Sequence, residues 1–359
     1  MLPFSPKKER RIVHVKKIVF VLSIFFLFVL YYFPIVYDEV LKNPLQETKQ
    51  LSTEMTQKEE DDVHPLPVTG FEHYIGLPIE DYVERHGPPL RTGPSNFGAE
   101  WWTFAVHPEE YVQIEVKNGI VRSIFVMGED VNTGPIRIGM TQENIYDETE
   151  LTDYFSFQSE GIEYELSLTK DDLEVFPLIY FENNSFVMLF FHPERDNVYG
   201  LRYLSAEALL QTNYYSIMSE EEDPSFIYPL TNEKNKLVLS EKEEQLLALF
   251  SIMRQQSGAA SLSQVAQMEQ PDESTPQINM ENYFSSEKEM SESIQSIEEL
   301  DRHDKAKEVE YVNGHGVFDT PIQFGIFMRD SHNRELLLNE AWKELSIKAM
   351  EDDFVILFN

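Results

Sequence analysis

The sequence contains no cysteine. That excludes disulfide frameworks and thiolate metal sites. An exported eukaryotic chain of this size usually carries bridges, so their absence fits a Gram-positive bacterial surface protein. Basic residues are also scarce: 29 Lys and Arg stand against 63 Asp and Glu, a formal net charge of −34. Lys7, Lys8, Arg10, Arg11, Lys16 and Lys17 sit together near the N-terminus, which leaves the remainder more acidic still. Such a surface repels nucleic acid and anionic lipid, so no nucleic-acid partner is expected. There is no G-x-S-x-G elbow, no phosphate-binding loop and no dinucleotide fingerprint. No cofactor is expected, and carboxylates are too abundant for any one pair to point to a glycosidase.

What is present begins with an apolar run from Ile18 to Tyr37, free of charge until Asp38. About 20 such residues cross a bilayer core as a helix. The basic cluster before it places the N-terminus in the cytoplasm and the rest outside. A cleavable signal peptide is the alternative. It has a shorter apolar stretch ending in small residues, whereas Tyr31, Tyr32, Phe33 and Pro34 are bulky. The expectation is therefore a basic tail over 1–17, a single-pass anchor over 18–37 and a polar stalk over 38–69. The apolar fraction, 42%, is enough for a real core beyond the stalk.

Residues 70–218 read as an α+β domain. Pro78 suits the start of a helix that runs to Arg85 and stops at Gly87. Strand-like runs follow over 100–106, 111–117 and 120–126, and Asn118-Gly119 between the last two is a hairpin signal. Ile138-Gly139-Met140-Thr141 then repeats the pattern of Ile75-Gly76-Leu77-Pro78. Thr141 is placed to cap a helix, and strand-like runs recur over 161–168, 178–181 and 186–191. The domain thus reads as a duplicated unit of helix plus antiparallel strands. A linker is expected over 219–239. A second domain over 240–359 opens with a helix capped by Ser240 and Glu243, with Leu246, Leu249, Phe250 and Met253 at core spacing. It ends in a helix around 335–345 and a strand over 354–358.

Several of these stretches carry a resemblance. Tyr74-Ile75-Gly76, Gly87-Pro88, Glu100-Trp101, Tyr111, Asn118-Gly119 and Ile138-Gly139-Met140 resemble the CAP-associated N-terminal domain of Firmicutes surface proteins. That domain commonly precedes a CAP domain, the fold of cysteine-rich secretory proteins, antigen 5 and pathogenesis-related proteins. Ser331-His332-Asn333-Arg334, Leu336–Glu340 and Asn282-Tyr283-Phe284-Ser285 resemble stretches of a CAP domain in degenerate form. The resemblance implies a C-terminal α-β-α sandwich.

The family's cleft holds two histidines and two glutamates able to bind a divalent cation. Here Glu269 falls in the place of the first histidine and Ser286 follows Phe284-Ser285. Asn333 stands where the second histidine is expected, with His332 one residue early. A one-residue slip turns a helical side chain by about 100°. Glu308 and Glu310 lie near one family glutamate. The resemblance therefore implies a CAP-like scaffold without its metal site. The expected role is a non-catalytic module that binds a cell-envelope polymer or surface protein through Glu269, Glu308, Glu310 and His332, or near Trp101. The alternative is a wall-directed hydrolase using the remaining carboxylates. Of the adjacent pair Trp101 and Trp102, one faces the core and one the surface on a strand.

Overall fold

The first ten strands are β1 (Arg91–Pro94), β2 (Glu100–His107), β3 (Glu110–Lys117), β4 (Ile120–Met127), β5 (Tyr154–Ser159), β6 (Ile162–Ser167), β7 (Leu178–Tyr180), β8 (Ser185–Phe191), β9 (Val198–Ser205) and β10 (Ile217–Ser219). Seven of them form one sheet of order β1-β2-β3-β4-β9-β8-β7, and β10-β6-β5 form a second. The computed structural model describes residues 65–149, 151–219, 232–261, 263–264, 308–312, 317–349 and 353–358. The expected anchor and stalk, and Glu269, Asn282–Ser285 and Ser286, lie outside the described residues. Among the described residues no helix is long and apolar enough to cross a membrane.

Two three-stranded meanders, β2-β3-β4 and β7-β8-β9, meet antiparallel along β4 and β9. The Asn118-Gly119 turn that joins β3 to β4 has φ of +54° and +79°, as a two-residue hairpin of matching twist requires. The repeated tetrapeptide has a geometric counterpart. The Gly76 amide donates to Val121 O, and the Val121 amide to Leu77 O, both at 2.9 Å. The Gly139 amide donates to Val198 O, and the Val198 amide to Met140 O, both at 2.8 Å. Each tetrapeptide thus clips onto the start of a central strand and launches a helix, α1 (Ile79–His86) or α2 (Gln142–Glu148). Thr141 caps α2 through a reciprocal pair with Asn144.

Strands alternate their side chains between faces, and both faces of the central strands are buried. One face is apolar: Ile114, Ile124, Val126, Leu189 and Tyr203 pack with Phe71, Tyr82 and Ile145. The other carries Trp101, Thr103, Gln113, Glu115, Ser123 and Arg202 among its buried residues. Trp101 is the inward member of the tryptophan pair, 5% exposed, so it is not the ring available for stacking at the surface. Trp102 lies on the opposite face, half-buried against the apolar cluster.

This second face, polar around Arg202 and also carrying Phe125, Met188, Phe190 and Leu204, is covered by the C-terminal part. After α3 (Lys170–Val175) and α4 (Ala206–Thr212) comes α5 (Asn232–Gln256), then α6 (Thr320–Arg329) and α7 (Ser331–Leu338). The last strands, β11 (Ser263–Gln264), β12 (Glu308–Val312), β13 (Glu344–Ala349) and β14 (Phe354–Phe358), form a sheet of order β11-β13-β14-β12. Leu246, Leu249, Phe250 and Met253 are buried as their spacing predicts, and the Phe250 ring meets Phe327 at 4.8 Å and Phe324 at 5.5 Å.

Two expectations are corrected. Helix α5 begins at Asn232, so Ser240 lies inside it, and Glu243 instead accepts the Ala349 amide at 3.0 Å. The helix extends because Val238, Glu241, Lys242 and Gln245 continue the buried stripe of Leu246 and Leu249 at helical spacing. The final helix stops at Leu338, and Glu344–Ala349 is a strand paired with β14. Leu345, Ile347 and Ala349 alternate inward there, a period of two that a helix cannot use. The described residues from 65 onward belong to one compact unit, with α6 seated so closely that Gly325 has no room for a side chain beside Phe176 and Phe190.

Candidate functional site

A cavity of about 270 Å³ opens where α5 and the start of α6 meet the polar face of the sheet. Trp101, Glu115, Glu241, Lys242, Gln245 and Asp319 are among its lining residues. Strand β2 brings Trp101 there, β3 brings Glu115, and the extended α5 brings the rest except Asp319, the N-cap of α6. Arg202 of β9 ties these elements together. Its guanidinium lies 4.7 Å above the Trp101 ring, donates to Asp319 Oδ2 at 2.6 Å and stands 3.9 Å from Glu115. Asp319 also caps α6, accepting the Ile322 amide at 3.1 Å. Glu115 accepts the hydroxyls of Ser95 at 2.7 Å and Ser123 at 2.9 Å. At the sheet edge Arg91 pairs with Glu241 at 2.5 Å and with Glu244.

Burial sets the electrostatics. It holds the Asp319 carboxyl above its usual range, with repulsion from Glu115 adding to the rise and Arg202 opposing it. Glu241 is likewise raised by burial, with Glu244 adding and Arg91 opposing. These carboxylates are paired, yet their charge is still costly in so dry a place.

Of the residues expected from the sequence, Glu308, Glu310 and His332 lie on described elements of the C-terminal part. Glu308 and Glu310 lie on β12, opposite Phe358 and Ile356 of β14. His332 is the second residue of α7 and is exposed, whereas Asn333 is 8% exposed and Arg334 is 7% exposed. Asn333 donates its amide to Asp330 Oδ1 at 3.0 Å and keeps a buried Oδ1 without a hydrogen-bond partner. Arg334 donates to Met328 O at 2.8 Å and to Arg329 O at 2.6 Å, and reaches Glu194 at 2.9 Å. Among the described residues no group of three His, Asp or Glu is placed to hold a metal ion. The sequence reading singled out Trp101 but missed Arg202, Glu115, Glu241 and Asp319. The usable signal was an arginine in the middle of the apolar run Tyr199–Leu204, a position that demands a buried partner.

Residues 75–215, the two meanders with their clipped helices, match the CAP-associated N-terminal family. The chain carries a CAP-associated N-terminal domain. Beyond that domain the likeness is one of fold. An extracellular protein of Bacillus anthracis containing a SCP domain superposes with a TM-score of 0.65 at 22% identity, covering 84% of this chain and 98% of that one. A cysteine-rich secretory protein of Staphylococcus aureus gives 0.63 at 20% identity, covering 82% and 94%. The uncharacterized membrane protein YlbC of Bacillus subtilis is 23% identical over 289 residues, 79% of this chain and 81% of its own. The mixed α+β fold thus has SCP-domain proteins among its structural neighbours, and Arg202 of the CAP-associated domain pairs with Asp319 beyond it.

Proposed function

We propose that this protein is a membrane-tethered, extracytoplasmic module that binds a cell-envelope polymer or surface protein and does not catalyse a reaction. The observation that carries the reading is the orientation of α7. Its outward position is His332 and its inward position is Asn333, so an amide replaces an imidazole where the resemblance expects a ligand. An amide does not serve as a zinc ligand in the way a neutral imidazole does. Glu269, Glu308, Glu310 and His332 are then the residues that contact the bound polymer or protein. The tether is the apolar run 18–37, with its basic flank in the cytoplasm and the C-terminal residues outside. The naming of YlbC as a membrane protein supports the membrane association.

The test is co-sedimentation of the full-length protein, in detergent, with purified cell-wall sacculi. Binding is expected to be the same in zinc and in EDTA, with no soluble wall fragments released. Release of fragments that is lost in Glu310→Gln or His332→Ala, while folding is retained, would establish the hydrolase instead.

A further inference from the structure

The junction cavity sits apart from α7 and has a chemistry of its own. Three carboxylates line it, Glu115, Glu241 and Asp319, together with Lys242, whose ammonium also donates to Asp353 O at 3.2 Å. Behind them Arg202 pairs with Asp319 at 2.6 Å and approaches Glu115 at 3.9 Å, and Arg91 pairs with Glu241 at 2.5 Å. Arg91 also pairs with Glu244, whose side chain is half exposed and faces solvent, so within the buried part three cations face three anions. A net charge brought into this place would be buried without a counter-ion, which is costly. The polar groups nevertheless have spare capacity. A carboxylate offers about four lone-pair directions, and Gln245, only 1% exposed, has an Oε1 with no hydrogen-bond partner. Phe97, Trp101 and Phe318 supply aromatic wall beside these acceptors.

We infer that the junction cavity binds one neutral, polyhydroxylated ring, a single sugar unit, between the CAP-associated domain and the C-terminal helices. Hydroxyl groups both donate and accept, so they serve carboxylate, amide and ammonium without disturbing the charge balance. The C–H faces of a ring lie against aromatic walls, as in pockets of mixed lining. At about 270 Å³ the cavity lies near the lower end of small-ligand pockets, about 300–1,000 Å³, which suits a single ring. A ligand here touches the sheet through Trp101 and Glu115, α5 through Gln245, and α6 through Asp319, so its occupancy stabilises the seating of the C-terminal helices. No residue of α7 lines the cavity, so if sugar binding fails here, the proposed wall binding through His332 is unaffected.

The experiment is thermal unfolding of the full-length protein in a sugar-free zwitterionic detergent. The probes are glucose, N-acetylglucosamine, chitotriose and putrescine. A neutral monosaccharide at tenfold over its Kd is expected to raise the midpoint by about 3 °C, with no shift from putrescine. Chitotriose matching the monosaccharide would mean that a chain end enters, and its failure that only the free ring fits; either keeps a single-ring site. The shift should vanish in Gln245→Ala and in Ala208→Leu, which fills the cavity from α4. The second variant retains the polar network, so it reports on the cavity if the first is unstable. No shift with either monosaccharide, a shift that survives Ala208→Leu, or a shift with putrescine alone would overturn the inference.

Discussion

Replacing Asp319 by Asn isolates the charge of one buried ion pair from everything else Asp319 does. Asparagine is as good an N-cap as aspartate, so the bond from the Ile322 amide to the side chain is kept. What changes is the partner of Arg202, whose side chain is 1% exposed. In the native protein its Nη2 reaches Asp319 at 2.6 Å, while Glu115 stands at 3.9 Å and is already engaged by two serine hydroxyls. Removing one member of a buried pair costs about 3–5 kcal/mol when the other charge is left uncompensated, and here Glu115 keeps its charge at 3.9 Å from Arg202. The raised Asp319 carboxyl shows that its ionised form is itself held at a cost, so the lower half of that range, about 3 kcal/mol, is expected. The assay is urea denaturation of the full-length protein, with tryptophan fluorescence as the probe because Trp101 lies under the guanidinium. The double variant Arg202→Met with Asp319→Asn removes both charges and should recover about 2 kcal/mol relative to the sum of the single losses. A loss below about 1 kcal/mol in the single variant, or strict additivity in the double, would refute this account of how the C-terminal helices are held.

Gly325→Ala places a Cβ 2.6 Å from Phe176 Cζ and 2.7 Å from Phe190 Cε1. Overpacking of about 1–3 kcal/mol outweighs a helix-propensity gain of about 1 kcal/mol, so a net loss is expected in thermal denaturation. Thr141→Ala removes the cap of α2 and should cost about 1 kcal/mol by the same assay, whereas Thr141→Ser should be near neutral. His86 stacks on Tyr82 at 4.1 Å, and burial, aided by Arg85, holds its imidazole below the usual 6.5. The unfolded chain therefore binds the proton first, and stability falls as pH drops below about 6.5. His86→Gln should reduce the slope there, with His192, lowered likewise by burial, keeping the remainder, and an unchanged slope would count against it.

Local chemistry was the legible part of the sequence. Asn118-Gly119 needs two left-handed residues in a row, and few pairs other than this supply them. The tetrapeptides at 75–78 and 138–141 were visible as a repeat because each makes the same pair of backbone bonds, which constrains both in the same way. The apolar stripe of α5 from Leu246 to Met253 was equally plain. What was hidden lies where polar residues face inward. The first turns of α5 carry Asn232, Glu233, Lys234, Asn235 and Lys236 and so read as linker, and inside the expected helix Glu241, Lys242 and Gln245 give no apolar signal. They are buried because the sheet opposite is itself polar, and no periodicity of hydrophobicity reports a match of that kind. Strand β9 was obscured by Gly200 and Arg202 within it, and α6 by Pro321 and Gly325, although Pro is acceptable in a first turn and Gly325 answers to a close approach. The exposed place of His332 beside buried Asn333 agrees with the rotation that a one-residue slip implies, whereas Trp101 turned out to be the inward ring.

The central claim is that this scaffold holds an amide where a cation-binding relative would hold an imidazole. Isothermal titration of the full-length protein with zinc, alongside Asn333→His, tests it most directly. The account predicts no stoichiometric zinc uptake by the wild type at micromolar concentration. One tightly bound zinc per wild-type chain, abolished by His332→Ala, would contradict it.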